Sequence, residues 1–331
     1  MKRAVFLLIF AGLALGLAGP AQARIAFVRG ESIYTADDDG SSLKRVTKGS
    51  LVEISPDGRW MTFSRFIIKG SRWETWLSRT NGKSMKRISR ARDPLGAEFS
   101  PDSKLVALGY RNKLSIMEVA TRRAAVLATG AIRGFSFAPD GHAIVFERLR
   151  TPGDDIYNTD PRDLWIVERD RTGLRQLTTD GVSLNPLWTA QGVVFNRQEV
   201  QEEGKAPLYQ IFQQNTQTGV VSELTTRPVV ANDLISGPVP VARSADGLRL
   251  VAAVSGQSQF AAMLIDFSNG SIRDFGTTEI VPLGMSRDGS RVLLQTGSLD
   301  PTDRHNLVLA DFATMQRRTI IRNAHSASWT G

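Results

Sequence analysis

Cysteine is absent from this chain, which excludes a disulfide framework, a thiolate metal site and a cysteine nucleophile. Histidine is nearly absent: only His142, His305 and His325 occur. With no His-x-His or His-Glu-x-x-His spacing among them, nothing signals a zinc hydrolase. Neither a Gly-x-Ser-x-Gly elbow, a Walker loop nor a dinucleotide glycine fingerprint is present. Beyond residue 23 no apolar run approaches the ~20 residues that cross a bilayer. Acid is the minority charge, 33 residues against 41 basic ones, for a net +8. A modest positive excess favours anionic partners. Here it is scattered in pairs such as Lys44-Arg45, Lys86-Arg87, Arg122-Arg123 and Arg317-Arg318, as solvated faces are. The remaining composition, 41% hydrophobic and 22% charged, excludes wholesale disorder and a polytopic membrane protein. Its 29 glycines and 14 prolines suit many short elements joined by turns.

The N-terminus reads as a targeting segment. Lys2 and Arg3 precede an uncharged run from Ala4 to Gly19, followed by Pro20-Ala21-Gln22-Ala23. A basic start, a short apolar middle and small residues at the minus-three and minus-one positions are what signal peptidase recognises. A signal peptide over 1–23 and an exported chain over 24–331, forming a single domain, are therefore expected; a retained membrane anchor is the alternative. Cleavage removes Lys2 and Arg3 and no acid, so the net charge falls by two. Export, and the lack of helix-turn-helix or finger spacing, argue against a nucleic-acid partner.

The chain also repeats itself. Ser55-Pro56-Asp57-Gly58 recurs in altered form at Ser100-Pro101-Asp102-Ser103, Ala138-Pro139-Asp140-Gly141, Thr189-Ala190-Gln191-Gly192, Ser244-Ala245-Asp246-Gly247 and Ser286-Arg287-Asp288-Gly289. The intervals are 45, 38, 51, 55 and 42 residues. Proline presets φ, aspartate bonds nearby backbone and glycine accepts positive φ, so each copy joins two strands tightly. Between copies lies a second hairpin, often turning at Asp-Gly or Asn-Gly (Asp39-Gly40, Asn81-Gly82, Asn269-Gly270). Seven second hairpins accompany only six turns. The surplus resolves if Ser326–Gly331 supplies the inner strand that Arg24–Arg29 lacks. The expected fold is all-β: a seven-bladed propeller of four-stranded antiparallel blades, closed by the C-terminal strand completing the N-terminal blade. Six blades with one irregular excursion is the competing count, and a monomer is expected.

The repeat of an apolar residue, Ser-Pro-Asp-Gly, a strand and Asp-Gly-x-x-Leu-x-x-Leu-Thr resembles the TolB-type β-propeller repeat. It is clearest in 32–63, 98–108 and 135–178. Related repeats occur in the propellers of dipeptidyl peptidase-like enzymes. TolB proper resembles a propeller preceded by an α/β domain, whereas blades begin here directly after residue 23. The resemblance implies a propeller in the periplasm or outside the cell.

Strand order places the Ser-Pro-Asp-Gly turns on one face and the long insertions on the other: 66–73, 149–162, 198–207 and 297–305. Loops on a rigid scaffold carry function, so the long-loop face is expected to bind a protein or peptide of the cell envelope, without catalysis. Inter-blade residues near the inner-strand starts, Glu53, Asp93, Arg133, Asn185, Asp233, Glu279 and His325, are expected to rim the channel. Asp154, Asp155, Tyr157, Asp160, Glu199 and Glu202 lie in acidic insertions suited to a basic partner or to Ca²⁺. Trp73 is a candidate exposed anchor. The alternative reading is a channel-mouth hydrolase or lyase using acidic residues, with or without a metal.

Overall fold

The four copies of the tetrapeptide that begin with serine and carry aspartate build the turn from their own side chains. Ser55 Oγ donates to Asp57 Oδ1 at 2.6 Å and accepts from the Trp60 N–H at 2.9 Å, while Asp57 Oδ1 accepts from the Arg59 N–H. The same three bonds recur at Ser100, Ser244 and Ser286. Gly58, Gly141, Gly247 and Gly289 all take φ between +67° and +73°, where a side chain is disfavoured. The tetrapeptide therefore fixes both the reversal and the register of the two strands it joins.

The computed structural model describes residues 24–91, 94–151, 160–199, 208–225, 235–256, 260–275, 279–297 and 304–330. Their strands fall into seven four-stranded sheets. After β1 (Arg24–Arg29), β2 (Ser32–Asp37) and β3 (Lys44–Lys48) comes the second blade, β4 (Ser50–Ile54), β5 (Trp60–Ile67), β6 (Arg72–Arg79) and β7 (Lys86–Ala91). The third is β8 (Pro94–Phe99), β9 (Leu105–Tyr110), β10 (Lys113–Glu118) and β11 (Ala124–Thr129). The fourth is β12 (Ile132–Phe137), β13 (Ala143–Leu149), β14 (Arg162–Glu168) and β15 (Arg175–Gln176). The fifth is β16 (Ser183–Thr189), β17 (Gly192–Glu199), β18 (Leu208–Gln214) and β19 (Val221–Glu223). The sixth is β20 (Ile235–Arg243), β21 (Arg249–Gly256), β22 (Phe260–Asp266) and β23 (Ser271–Asp274). The seventh is β24 (Ile280–Met285), β25 (Arg291–Thr296), β26 (Asn306–Asp311) and β27 (Arg317–Arg322).

The last strand, β28 (His325–Trp329), returns to the first blade and pairs antiparallel with β1, setting Ile25 opposite Trp329 and Ala26 opposite Ser328. Blade 1 thus reads β28-β1-β2-β3. The count is seven, not six, and head and tail share one sheet. This closure ties together the two ends of the ring through backbone hydrogen bonds that neither end can satisfy alone.

The core is divided among the blade interfaces. Seven buried apolar clusters each bridge two neighbouring blades among the described residues. Phe63 and Met61 of blade 2 pack on Val28 and Ile33 of blade 1, and Leu293 and Leu307 of blade 7 pack on Ile25 and Phe27. Phe63, Phe137, Phe146 and Phe195 are fully buried, and each such side chain stabilises by about 1.5–3 kcal/mol. Because both faces of every blade are covered, its middle strands read as near-continuous apolar runs. The outer strands carry the basic pairs: Lys44, Arg45, Lys86, Arg87, Arg317 and Arg318 are all exposed on edges. Charged edges of this kind resist pairing with another chain.

Candidate functional site

The inner strands present one register position to the channel. The residue two before each turn, Glu53, Glu98, Ser136, Leu187, Ala242, Gly284 or Ser328, borders a common cavity of about 450 Å³. Several of these side chains also join blades. Ser328 Oγ accepts from the Ile54 N–H at 3.0 Å, Glu98 Oε1 from the Phe137 N–H at 3.1 Å, and Ser136 Oγ from the Trp188 N–H at 3.3 Å. Each bond runs from one inner strand to the next.

The cavity wall is uneven. Glu53 and Glu98 stand on neighbouring blades 2 and 3, whereas Leu187, Val239, Val241, Leu283, Met285 and Trp329 make the rest largely apolar. Burial raises the Glu53 carboxyl to about 8; the Ser328 hydroxyl bonded to it pulls downward, and the charge of Glu98 pushes further up. Burial likewise raises Glu98 to about 7, against the Phe137 N–H and the positive charge of Arg243. Arg243, the last residue of β20, is itself lowered by burial, with Glu98 acting in the opposite sense. Carboxyls poised near neutrality in a cavity mark candidate functional positions.

The residues expected at the rim do not form one layer. Arg133 and Asn185 do border the channel near Glu53. Asn185 has a positive φ of 52° and is anchored structurally: its N–H donates to Glu147 Oε2 at 3.0 Å and its Nδ2 to Asn196 Oδ1 at 3.2 Å. Glu147 in turn pairs with the buried Arg162 at 2.9 Å, and the Asp160 carbonyl accepts from Arg162 Nε. Asp160 therefore caps an internal ion pair through its backbone. Glu279 is exposed, and its carbonyl accepts from the Gly297 N–H. Glu199 ends β17 opposite Leu208. Trp73 is half-buried, its ring 5.2 Å from that of Phe66; Phe66 and Ile68 are the exposed apolar residues of that insertion, at 50% and 86%. His325 is not among the residues lining that cavity; its ring is 6.0 Å from that of His305, and burial followed by the charge of His305 lowers its pKa. Asp93, Asp154, Asp155, Tyr157, Glu202 and Asp233, like segment 1–23, lie outside the described residues.

Glu98 and Arg243 were not singled out from the sequence. Glu98 had a usable signal, since it stands two residues before Ser100 as Glu53 does before Ser55. Arg243 had none, because its importance is its approach to Glu98 from a different blade. A larger groove of about 1070 Å³ opens on the turn face beside Asp102, Asp140 and Asp170. Those carboxylates are engaged by their own turns, accepting from Lys104, His142 and Thr172, so the groove is a by-product of turn construction. Among the described residues, no three His, Asp or Glu side chains gather as a metal-binding group, and no helix is long and apolar enough to cross a membrane.

No protein-family model matches the chain, and no curated protein matches it. Solved structures do. An oligogalacturonate lyase in complex with manganese superposes with a TM-score of 0.64 at 13% identity, over 90% of this chain and 83% of the other. The β-propeller domain of the Trilobed protease from Pyrococcus furiosus gives 0.63 at 12% identity, over 90% and 93%. A TolB-type protein from Agrobacterium tumefaciens gives 0.53 at 16% identity, over 80% and 89%. Likeness at such identities carries the fold alone. The seven-bladed propeller architecture is borne out, and it is shared with a TolB-type protein. The Pyrococcus domain is described as an open velcro, whereas β28 closes the ring here.

Proposed function

We propose that this TolB-type propeller is an exported binding module that takes a segment of a cell-envelope protein at its long-loop face and admits part of it to the channel. The observation that carries the reading is the uneven channel wall, with Glu53 and Glu98 on one side and apolar residues on the other. Such a wall suits a peptide group that is polar at one end and apolar at the other. The exposed Phe66 and Ile68 offer an apolar contact on the face through which the segment would enter. The N-terminal targeting pattern supports an envelope or secreted location.

A second reading, a channel-mouth lyase or hydrolase, is favoured by the Glu98 carboxyl, held at about 7 and coupled to Arg243. A base near neutrality beside a cation suits proton abstraction next to a carboxylate. The oligogalacturonate lyase neighbour makes polyuronate the substrate class to try.

One variant tests both. A photo-crosslinker at Ile68 is expected to capture one discrete envelope protein with the native chain. Glu98→Gln, which removes the ionisable group, is expected to lower that capture at least several-fold while leaving the melting temperature at pH 6, where the native carboxyl is protonated, intact. Crosslinking unchanged by Glu98→Gln and by Phe66→Ser would overturn the binding reading. Cleavage of polyuronate oligomers that disappears in Glu98→Gln would replace it with the catalytic one.

A further inference from the structure

Two of the chain's three histidines, 20 residues apart in sequence, meet where blade 7 joins the closing strand. His305 immediately precedes β26 and His325 opens β28. Their ring centroids are 6.0 Å apart and their planes are inclined by 69°. His305 is 6% exposed, and its Nδ1 has no hydrogen-bond partner among the described residues. A buried polar nitrogen left in this way costs roughly 1–3 kcal/mol. His325 is differently placed: its Nδ1 pairs with Ser326 Oγ at 3.0 Å. With the proton on Nδ1 and donated to the hydroxyl, the Nε2 lone pair is left free. An outer partner of this kind commonly fixes the tautomer of a ligating imidazole.

The residue beside His305 is Gly297, at φ +118°, and a Cβ there would fall 2.9 Å from His305 Nδ1. Gln295 Oε1 accepts from the Ser326 N–H at 3.0 Å, fixing the start of the closing strand against blade 7. A simple edge-to-face pair would account for the ring angle, but it leaves the His305 nitrogen unsatisfied. An ion accounts for both. With metal–nitrogen bonds of ~2.0–2.1 Å, two imidazoles on one tetrahedral ion have centroids roughly 5 Å apart, so the rings would close by about 1 Å on binding.

We propose that His305 Nδ1 and His325 Nε2 form a binding site for a divalent transition-metal ion of the imidazole-preferring class, zinc(II) first, with water completing the coordination. Imidazole suits zinc, copper and nickel, whereas calcium and magnesium take oxygen ligands. The site does not depend on the channel reading. Its position gives it a structural consequence. One ligand belongs to blade 7 and the other to the strand that closes the ring, so the ion fastens the closure seam and stabilises the folded state by mass action.

The test uses the full chain in chelator-stripped buffer with zinc chloride as the probe. Equilibrium dialysis is expected to give one zinc per chain. Long-range ¹H–¹⁵N spectra are expected to show the His305 Nδ1 and His325 Nε2 resonances moving while those of His142 stay in place. His325→Ala is expected to weaken binding at least tenfold and to abolish the zinc-induced rise in melting temperature; His142→Ala should do neither. His325 is only half-buried, so its removal should leave the fold intact. Zinc binding retained by His325→Ala, or histidine resonances that do not respond to zinc, would overturn the site and leave an edge-to-face pair.

Discussion

Ser103 occupies the turn position where the other Asp-containing copies carry glycine, and it holds a φ of 61°. Left-handed backbone costs a residue with a Cβ roughly 1–2 kcal/mol. The hydroxyl compensates: Ser103 Oγ accepts from the Asp57 N–H of the preceding blade at 3.0 Å, tying one turn to the next. The departure from the repeat is therefore an inter-blade bond. Two substitutions separate the terms. Ser103→Ala keeps the backbone cost and loses the bond, and is expected to destabilise by about 1–2 kcal/mol. Ser103→Gly loses the bond but relieves the backbone, and should stay within about 1 kcal/mol of the native chain. Urea unfolding of the three proteins checks this; equal losses in both variants would show that the left-handed backbone carries no cost here, and a Ser103→Ala chain as stable as the native one would show that the hydroxyl has no special role.

Among elements, β28 has the most to hold. It pairs with β1, and its Ser328 accepts from Ile54 of the next blade and bonds Glu53 in the channel. Ala324, just before it, and Ala327, at its middle, belong to the buried seam between blades 7 and 1. Ending the chain after Asn323 removes the inner strand of blade 1 and exposes the β1 backbone. The expected cost exceeds about 4 kcal/mol, the range of network or core loss rather than of a frayed tail. Differential scanning calorimetry checks it, and an unchanged melting temperature would show that the ring does not depend on its closure.

Over the whole molecule the channel imposes a pH dependence. Glu53 and Glu98 are raised to about 8 and about 7 from an ordinary 4.5, so the folded chain binds their protons more tightly than the unfolded one. Stability from these groups is full in acid and is lost as pH climbs from the ordinary carboxyl range through 7 and 8. The slope is at most about 1.4 kcal/mol per pH unit for each group. The turn aspartates act oppositely. Asp288, held at about 2 chiefly by the Ser286 hydroxyl, contributes at neutral pH and loses its contribution only as acid takes the pH below 4 towards 2. The melting temperature is expected to fall between pH 6 and pH 8.5, and Glu53→Gln should flatten that fall. A native profile that rises over this interval would contradict the burial of the acid pair.

The blade number, the strand order, the turn chemistry and the closing strand were all legible in the amino-acid sequence, because each depends on local patterning: a tetrapeptide that supplies its own hydrogen bonds, alternating apolar runs, and a C-terminal segment on the repeat period. Glu53 was legible too, and Glu98 shares its offset from the turn. What only the tertiary structure decided is which distant residues meet. Arg243 acts on Glu98 from across the ring, Glu147 pairs with Arg162 between two strands of blade 4, and His305 reaches His325 where the β26–β27 hairpin hands over to the closing strand. None of these pairs has a sequence spacing to recognise: the first is set by the radius of a closed ring, and the other two by strand registers and side-chain directions that the pattern of apolar residues does not specify.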